Sequence, residues 1–570
     1  MPEKKYSPLA EDLLKKRYLR EGESPSGMFR RVAAWIARAE KENSSLWEEK
    51  YYEVMENLDF LPNSPCLMNA GTSMPQLAAC FVYPVEDSLE SIFDTLKISA
   101  MTHKSGGGTG FSFSRLRPRG DRVGKTGGTT SGPVSFMEIY DKATEAIRQG
   151  GRRRGANMGI LRVDHPDIEE FIDAKQAEGR LRNFNISVAV TDEFMDALKS
   201  CAEYDLYFPS ECEKRGKKDA KYIFEKIRSG AWKNGEPGII FIDRINRKNP
   251  LPGLGRLEAT NPCGEMPLLP YEACVLGSVN LSSHAVEGAI DWDKLKRTVN
   301  TAVRFLDDAI DVSDFPMKEI TEIVRANRKI GLGVMGFASM LMKLEIPYAS
   351  AGGVKMARKV MKFISGCAHE ASEKLAEEKG EFPNFNVSDL KKKRRNSLVT
   401  TIAPTGSISI IAGTSSGIEP VYSLSVRRRT EDGRYFDLTD PVVEEVLERR
   451  GLPVEKVIAD VIQAGSMKIS EHISQEVRKV FLTATEIEPR VHVLIQAAFQ
   501  KYVDNAISKT VNVPDKTTVE EAGGIIIKAY RTGCKGITLY RQNTRRQQVL
   551  NIICDCEDTE TEYCSMKGDD

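Results

Sequence analysis

At 570 residues the chain is long enough for several ordinary domains or for one large barrel with additions. Charged residues make up 28% and hydrophobic ones 41%, and 81 basic side chains balance 81 acidic ones, so no global field draws the chain to nucleic acid or to a membrane surface. No apolar run is long enough to span a membrane and no signal peptide follows Met1, which leads us to expect a cytoplasmic protein.

Residues 1–58 show helical spacing (Leu9, Leu13, Leu14, Tyr18, then 29–52), which predicts a small helical entry domain. A small-residue loop at 61–71 leads to a short apolar strand at 77–83 carrying Cys80, and a lone cysteine in such a strand is usually packing. Acidic and hydroxyl residues at 86–90 open a helix running to about 103. The run Ser105-Gly106-Gly107-Gly108-Thr109-Gly110 reads as a loop ahead of a strand at 111–116, and such loops offer backbone amides to phosphates. Gly124-Lys125-Thr126 ends like a P-loop, but three residues separate Gly120 from Gly124 where four are needed, so a P-loop is excluded. A helix at 136–147 ends in Gly151-Arg152-Arg153-Arg154-Gly155, which suits triphosphate recognition or a solvated charge run. Helix and strand patterns then alternate to 232, and 238–243 reads as a strand entering a helix.

The centre of the chain is Asn261-Pro262-Cys263-Gly264-Glu265, with Cys274 further on. Proline and glycine make a tight turn here, so carboxamide, thiol and carboxylate converge at a loop tip. A neighbouring carboxylate disfavours a thiolate. The pattern therefore suits a sulfur that gives and takes a hydrogen atom while Glu265 moves protons. Taken alone, the pentapeptide is equally a Pro-Gly turn around a packed cysteine.

Beyond it, 278–282 reads as a strand and 292–311 as a long helix. Gly331-Leu332-Gly333-Val334-Met335-Gly336 matches a dinucleotide fingerprint but follows a charged, helix-like stretch at 319–329, so no nicotinamide site is expected. A β-branched strand at 397–402 runs into Ala403-Pro404-Thr405-Gly406-Ser407-Ile408-Ser409, a candidate phosphate cradle. Residues 454–506 read as mainly helical and 536–541 as a last strand. The acidic tail after 550 holds Cys554, Cys556 and Cys564, a thiol-bearing arm. In a reducing cytosol the 11 cysteines are expected as thiols or redox catalysts, and six scattered histidines without CxxC pairs give no expectation of a metal site.

A strand cysteine (Cys80), a loop cysteine between carboxamide and carboxylate (Cys263), a third cysteine (Cys274) and several anion-binding loops occur in order. From about 61 to 545 the chain resembles a ribonucleotide reductase catalytic chain. The resemblance implies an α/β fold: a ten-stranded α/β barrel of two five-stranded halves (59–550), an N-terminal helical domain (1–58) and a flexible cysteine tail (551–570). A finger loop (259–276) would lie inside the barrel and effector loops would occupy 87–158. It implies a thiyl radical on Cys263 that takes the 3′-hydrogen of the ribose, Glu265 as base on the 3′-hydroxyl, and Asn261 on the sugar hydroxyls. Cys80 and Cys274 would be the dithiol oxidised as water leaves C2′.

By the same resemblance Ser64, Ala79 and Gly108 line the ribose and Thr405, Gly406, Ser407, Ile408 and Ser409 bind the phosphates. Asp87, Ser88, Arg117, Arg122, Arg153 and Arg154 hold a dNTP effector at a homodimer interface. Cys554, Cys556 and Cys564 pass electrons from a thioredoxin- or glutaredoxin-like reductant. One tyrosine, Tyr540, followed by Arg541, stands where the two-subunit members carry a tyrosine pair, and the tail has no glycyl-radical motif. The chain therefore looks most like the adenosylcobalamin-dependent members. The alternative is a large catalytic subunit that needs a separate radical-generating protein. Cys66 stands where threonine is more usual, and the tail spacing departs from CxxC. No nucleotide-binding regulatory module is evident in 1–58, so general inhibition by dATP is not expected.

Overall fold

The structure is a computed structural model, and it describes residues 6–124, 127–147, 155–177, 179–208, 213–429, 435–464 and 466–544. The entry segment is helical, as its spacing predicts. Helix Pro8–Leu13 is capped by Ser7 and helix Pro25–Ile36 by Ser24, each hydroxyl accepting a first-turn N–H, and each helix begins with a proline whose missing N–H costs nothing there. Met28, Phe29, Val32, Ala33 and Ile36 form the buried stripe of the second. Helix Ser44–Glu56 packs against it.

Five strands follow one another as parallel neighbours: β1 (Cys80–Pro84), β2 (Gly108–Ser112), β3 (Asn157–Arg162), β4 (Phe184–Val190) and β5 (Gly238–Phe241). The second set comprises β6 (Ala273–Asn280), β7 (Ile330–Met335), β8 (Thr510–Val513) and β9 (Gly536–Arg541), with β6 parallel to β7 and β8 parallel to β9. Residues 399–402 complete it. Parallel bridges from Thr400 to Leu332 and from Ile402 to Ile507 place this segment between β7 and the lead into β8. Two antiparallel seams, β6 on β1 and β9 on β5, join the sets. The ring therefore closes with five staves in each half. Closure removes the sheet edges, which accounts for strands as uniformly buried as β6 and β7.

Alternating residues point inward along the staves: Cys80 and Val82, Met158 and Ile160, Cys274 and Leu276 form an interior cluster with Ala189, Ile240 and Met266. Helices such as Trp292–Asp311 pack outside; it contacts β6 and β7 with Leu295, Val299, Ala302, Val303 and Leu306 buried.

Three expectations shift. The glycine run is not a loop before a strand at 111–116, because β2 begins at Gly108. The strand expected at 278–282 begins at Ala273 and carries Cys274. The GxGxxG string is itself a stave: a Cβ on Gly331 would meet Leu276 and Thr401 at 2.2 and 2.9 Å, and one on Gly333 would meet the Thr401 carbonyl at 2.6 Å. Those glycines serve close packing of β7 against its neighbours, not a pyrophosphate. Among the described residues no helix is long and apolar enough to cross a membrane.

Candidate active site

A finger enters the barrel between β5 and β6. Its two arms, Ala259–Thr260 and Pro267–Leu268, pair antiparallel, and the turn between them is braced by Asn261. The Asn261 carbonyl accepts from Gly264 N at 3.0 Å, its N–H donates to Met266 O at 3.2 Å, and its Oδ1 accepts from Met266 N at 3.0 Å. Gly264 takes φ +83°, the left-handed conformation that the tip requires.

Both halves of the barrel hold the finger. From the first, Asn185 Nδ2 donates to the Pro262 carbonyl at 2.9 Å, and β2 passes so close that a Cβ on Gly110 would sit 1.7 Å from the Thr260 carbonyl oxygen. A Cβ on Gly108 would lie 2.9 Å from Pro262 Cγ. From the second half, the Glu265 carbonyl accepts from Thr401 Oγ1 at 2.9 Å and from Ala506 N at 3.0 Å. The strand begins in the glycine run because only glycine admits the finger.

Asn261 and Glu265 are consequently buried, 3% and 2% exposed, while Cys263 at the tip is exposed. Cys80 and Cys274 stand directly opposite each other across the β1–β6 seam. Facing positions of an antiparallel pair have Cα atoms about 4.5–5.5 Å apart, inside the span a disulfide bridges. Burial pushes the Cys80 thiol well up; Glu265, Cys274 and Cys263 add to the rise, and a hydrogen bond from Asn261 opposes it. Burial likewise pushes Cys274 well up, against the pull of Lys329. Both sulfurs are therefore held as neutral thiols, able to give a proton and a hydrogen atom. The five residues singled out in the sequence converge here.

The substrate candidates divide. Ala79 and Gly108 adjoin the site: the Ala79 carbonyl accepts from Gly108 N at 2.8 Å, and Ala79 N donates to the Cys274 carbonyl at 3.1 Å. Ser64 begins helix Ser64–Asn69, and its hydroxyl shares a 2.7 Å hydrogen bond with Tyr18 of the entry helices. Cys66 is buried in the core, its thiol pushed up by burial. Thr405 takes φ +56° before the short helix Gly406–Ile411, its hydroxyl accepts from Gly417 N, and Ser409 bonds Ser416. Ile408 packs into the core, so Gly406 and the half-exposed Ser407 are what this turn presents.

Among the effector candidates, Asp87 accepts from the Arg117 backbone at 3.1 Å and from its Nε at 2.7 Å; Arg117 also donates to the Arg122 carbonyl, and Ser88 caps helix Leu89–Lys104. Arg153, Arg154, Cys554, Cys556 and Cys564 lie outside the described residues. Sequence reasoning missed Thr401, Asn185, Gly110 and a buried Lys329–Glu272 pair, since each acts through partners distant in sequence. An acidic group, Asp307, Asp308 and Asp311, is neutralised by Arg328, Arg395 and Lys379 and serves as an ion-pair network.

Comparison with known proteins agrees with this geometry. Residues 4–75 match the family description "Ribonucleotide reductase, all-alpha domain", and residues 78–395 and 391–540 match "Ribonucleotide reductase, barrel domain". The chain belongs to the ribonucleotide reductases. Over 557 residues it is 50% identical to the "Vitamin B12-dependent ribonucleoside-diphosphate reductase" of Thermoplasma acidophilum, covering 96% of this chain and 72% of the relative. The protein of the same name in Mycobacterium tuberculosis is 46% identical over 562 residues, covering 96% of this chain and 81% of the relative. A solved reductase structure, the "Actinobacillus ureae class Id ribonucleotide reductase alpha subunit", superposes with a TM-score of 0.78. At 24% identity it covers 94% of this chain and 97% of that one, and bears on the fold alone. At the point where a tyrosine pair would relay a radical, the reductase has Tyr540 and then Arg541, whose guanidinium is tied to Asp515 and lies 4.0 Å from the Trp232 ring centroid.

Proposed function

We propose that this chain converts ribonucleotides to 2′-deoxyribonucleotides by thiyl-radical chemistry, with adenosylcobalamin as its radical source, in the cytoplasm. The observation that carries the reading is the meeting of Cys80 and Cys274 across one strand pair beneath a finger bearing Asn261, Cys263 and Glu265. The cofactor fits the same geometry. Cys263 is exposed at the tip and nothing lies within 4 Å of a Cβ built on Gly264, so the tip at Cys263 and Gly264 is open to a bulky group. Bound there, adenosylcobalamin would supply the radical chemistry, and Cys263 is the residue that would give up its hydrogen. The two relatives above, named as vitamin B12-dependent, favour it over a separate radical-generating subunit.

The protein's own groups then act in turn. Cys263 sulfur takes the 3′-hydrogen while the Glu265 carboxylate takes the proton of the 3′-hydroxyl. Asn261 Oδ1 is spent on Met266 N, so its Nδ2 is the group offered to a sugar hydroxyl. A proton from the Cys80–Cys274 pair leaves with the 2′-hydroxyl as water, and the two sulfurs give up two electrons and join. Cys263 returns its hydrogen to C3′. Ribonucleotide and dithiol become deoxyribonucleotide, disulfide and water. Burial of Asn261, Glu265 and both thiols keeps water from the base and the dithiol.

In this reading Ser64, Ala79 and Gly108 line the ribose and the turn from Thr405 to Ser409 receives the phosphates. A dNTP effector binds at Asp87, Ser88, Arg117 and Arg122, and a thioredoxin- or glutaredoxin-like dithiol restores the pair. Exposed Leu89, Phe93 and Met101 on the helix after Asp87, with Ile139 on its neighbour, support a homodimer there. The test is deoxyribonucleotide formation by the purified chain with adenosylcobalamin, a dithiol, CDP or CTP and a dNTP, with Cys263→Ala as control. Cofactor-dependent turnover lost in the variant is expected. A folded chain that binds dNTP yet turns over only with an added radical-generating subunit would overturn the cofactor assignment.

A further inference from the structure

Tyr18, in the entry segment, reaches the site from outside the barrel. Helix Pro8–Leu13 runs into a wide turn at Leu14–Tyr18, in which Leu19 N reaches back to the Leu14 carbonyl at 2.9 Å. Single turns of this width are uncommon and recur at functional sites. Here the turn packs on helix Ser64–Asn69 and leaves Tyr18 only 2% exposed, while helix Pro8–Leu13 packs on Gly406–Ile411. One short stretch of chain thus touches both elements read as receiving the substrate, Ser64 for the ribose and the turn after Thr405 for the phosphates.

The backbone of Ser64 is fixed by its neighbours. Asn63 Oδ1 accepts from Cys66 N at 3.0 Å, and Asn63 N donates to the Leu276 carbonyl at 2.9 Å, on the stave that carries Cys274. A Cβ on Gly106 would lie 3.9 Å from Pro65 Cγ, which sets this corner beside the glycine run whose Gly108 faces Cys80. What remains free is rotation of the Ser64 hydroxyl, and its oxygen lies 2.7 Å from Tyr18 Oη. Of a phenol and an alcohol, the phenol is the stronger acid and the better donor. With Tyr18 donating, Ser64 Oγ keeps its own hydrogen to give elsewhere, and the half-buried side chain leaves room for an acceptor.

We propose that Tyr18 is a positioning residue for substrate binding: its phenol holds the Ser64 hydroxyl with the hydrogen turned towards a ribose oxygen. The proposal rests on the reading of Ser64 as a ribose contact. Tyr18 touches no substrate itself and acts through Ser64. Without the phenol the hydroxyl turns freely, and the substrate must order it at the moment of binding. Seating of the entry helices thereby becomes a condition of full substrate affinity.

The experiment measures ribonucleotide binding to the full chain without adenosylcobalamin, so radical chemistry plays no part. Equilibrium dialysis with CDP, and in a parallel series with CTP, compares the parent, Ser64→Ala, Tyr18→Phe and the double variant, each checked for folding by circular dichroism. Ser64→Ala should weaken binding about three- to tenfold, the worth of one neutral hydrogen bond, and Tyr18→Phe about threefold. The double variant should bind no more weakly than Ser64→Ala, because the tyrosine has lost the group it acts through. Linkage is reciprocal, so saturating CDP should slow amide exchange at 14–19 in the parent more than in Ser64→Ala. That comparison stands even if Tyr18→Phe does not fold. Unchanged affinity in Ser64→Ala would sink the ribose reading and the proposal with it. Weakened binding in Ser64→Ala beside the parent's affinity in a folded Tyr18→Phe overturns the proposal alone. So does a further loss when Tyr18→Phe is added to Ser64→Ala, since a merely structural tyrosine would matter with or without the serine. Equal protection of 14–19 in parent and Ser64→Ala would also overturn it.

Discussion

The fit of the finger against β2 makes Gly110→Ala a demanding test. The added Cβ would sit 1.7 Å from the Thr260 carbonyl oxygen and 2.8 Å from its carbon, where ordinary contact begins at 3.4 Å. Backbone must therefore give by about 1.7 Å, since a carbonyl cannot rotate aside as a side chain can. Overpacking of this kind costs about 1–3 kcal/mol, which a chain of this size survives. The reaction tolerates it less well, because misplacing reacting groups by about 1 Å costs on the order of a hundredfold in rate. Gly108→Ala meets Pro262 Cγ at 2.9 Å and asks for only about a third of that shift, so its loss should stay under about tenfold. Gly524→Ala, in helix Val519–Thr532 with nothing within 4 Å, controls for substitution as such. Turnover under saturating substrate, with circular dichroism to confirm folding, ranks the three. A folded Gly110→Ala chain with the parent's rate would refute the claim that this contact positions Cys263 for the proposed reaction.

The largely buried Asp504 accepts from Val399 N at 3.0 Å, Thr400 N at 3.1 Å and His369 Nε2 at 2.9 Å. Burial would raise its pKa, but His369, Arg394 and the backbone donor hold it well below the usual carboxylate range. The stability it contributes is complete above about pH 4 and is lost as pH falls through the lower folded value. Asp504→Asn should cost about 3 kcal/mol at neutral pH, with the gap in melting temperature to the parent narrowing below about pH 4; a gap independent of pH would count against the assignment. Phe93→Asp should yield a monomer by light scattering, since Phe93 and Leu89 are 50% and 65% exposed on one helix, and a persisting dimer would place the interface elsewhere. Asp87→Ala should weaken dNTP binding measured by equilibrium dialysis, and unchanged affinity would remove Asp87 from the effector site.

Much of the chemistry was legible because residue identity carries it. Asn261, Cys263 and Glu265 around Pro262 and Gly264 announce both a tight turn and an unusual thiol. The strand at 536–541 and the helix at 292–311 announce themselves by period, and the structure has them at those bounds. The remainder depends on pairing between distant segments. That Cys80 faces Cys274 is a matter of register across a seam between the two halves. Gly108 and Gly110 read as a loop because the local chain gives no hint of a finger pressing from the other side. A strand was expected at 397–402, but the place of 399–402 as the stave closing the ring rests on single bridges to either side. Lys329 ends a stretch that read as charged and helix-like, and Glu272 drew no reading, since local pattern cannot tell an ion pair buried in a barrel from a solvated one.

The finger's moorings have a consequence for how the protein comes into being. The staves β1 to β5 are neighbours in both sequence and space, so they can assemble in order as the chain emerges. The finger follows them and rests on Asn185, Cys80 and the bed of glycines. Its other moorings, Thr401 and Ala506, are synthesised much later, and the last seam waits for residues 536 and 537. A growing chain thus carries Cys80, Cys263 and Cys274 well before it can hold Cys263 in register with the pair below. The ordered place in which the proposed sulfur radical would form is withheld until the ring is closed, so an unfinished chain would have nowhere to generate one.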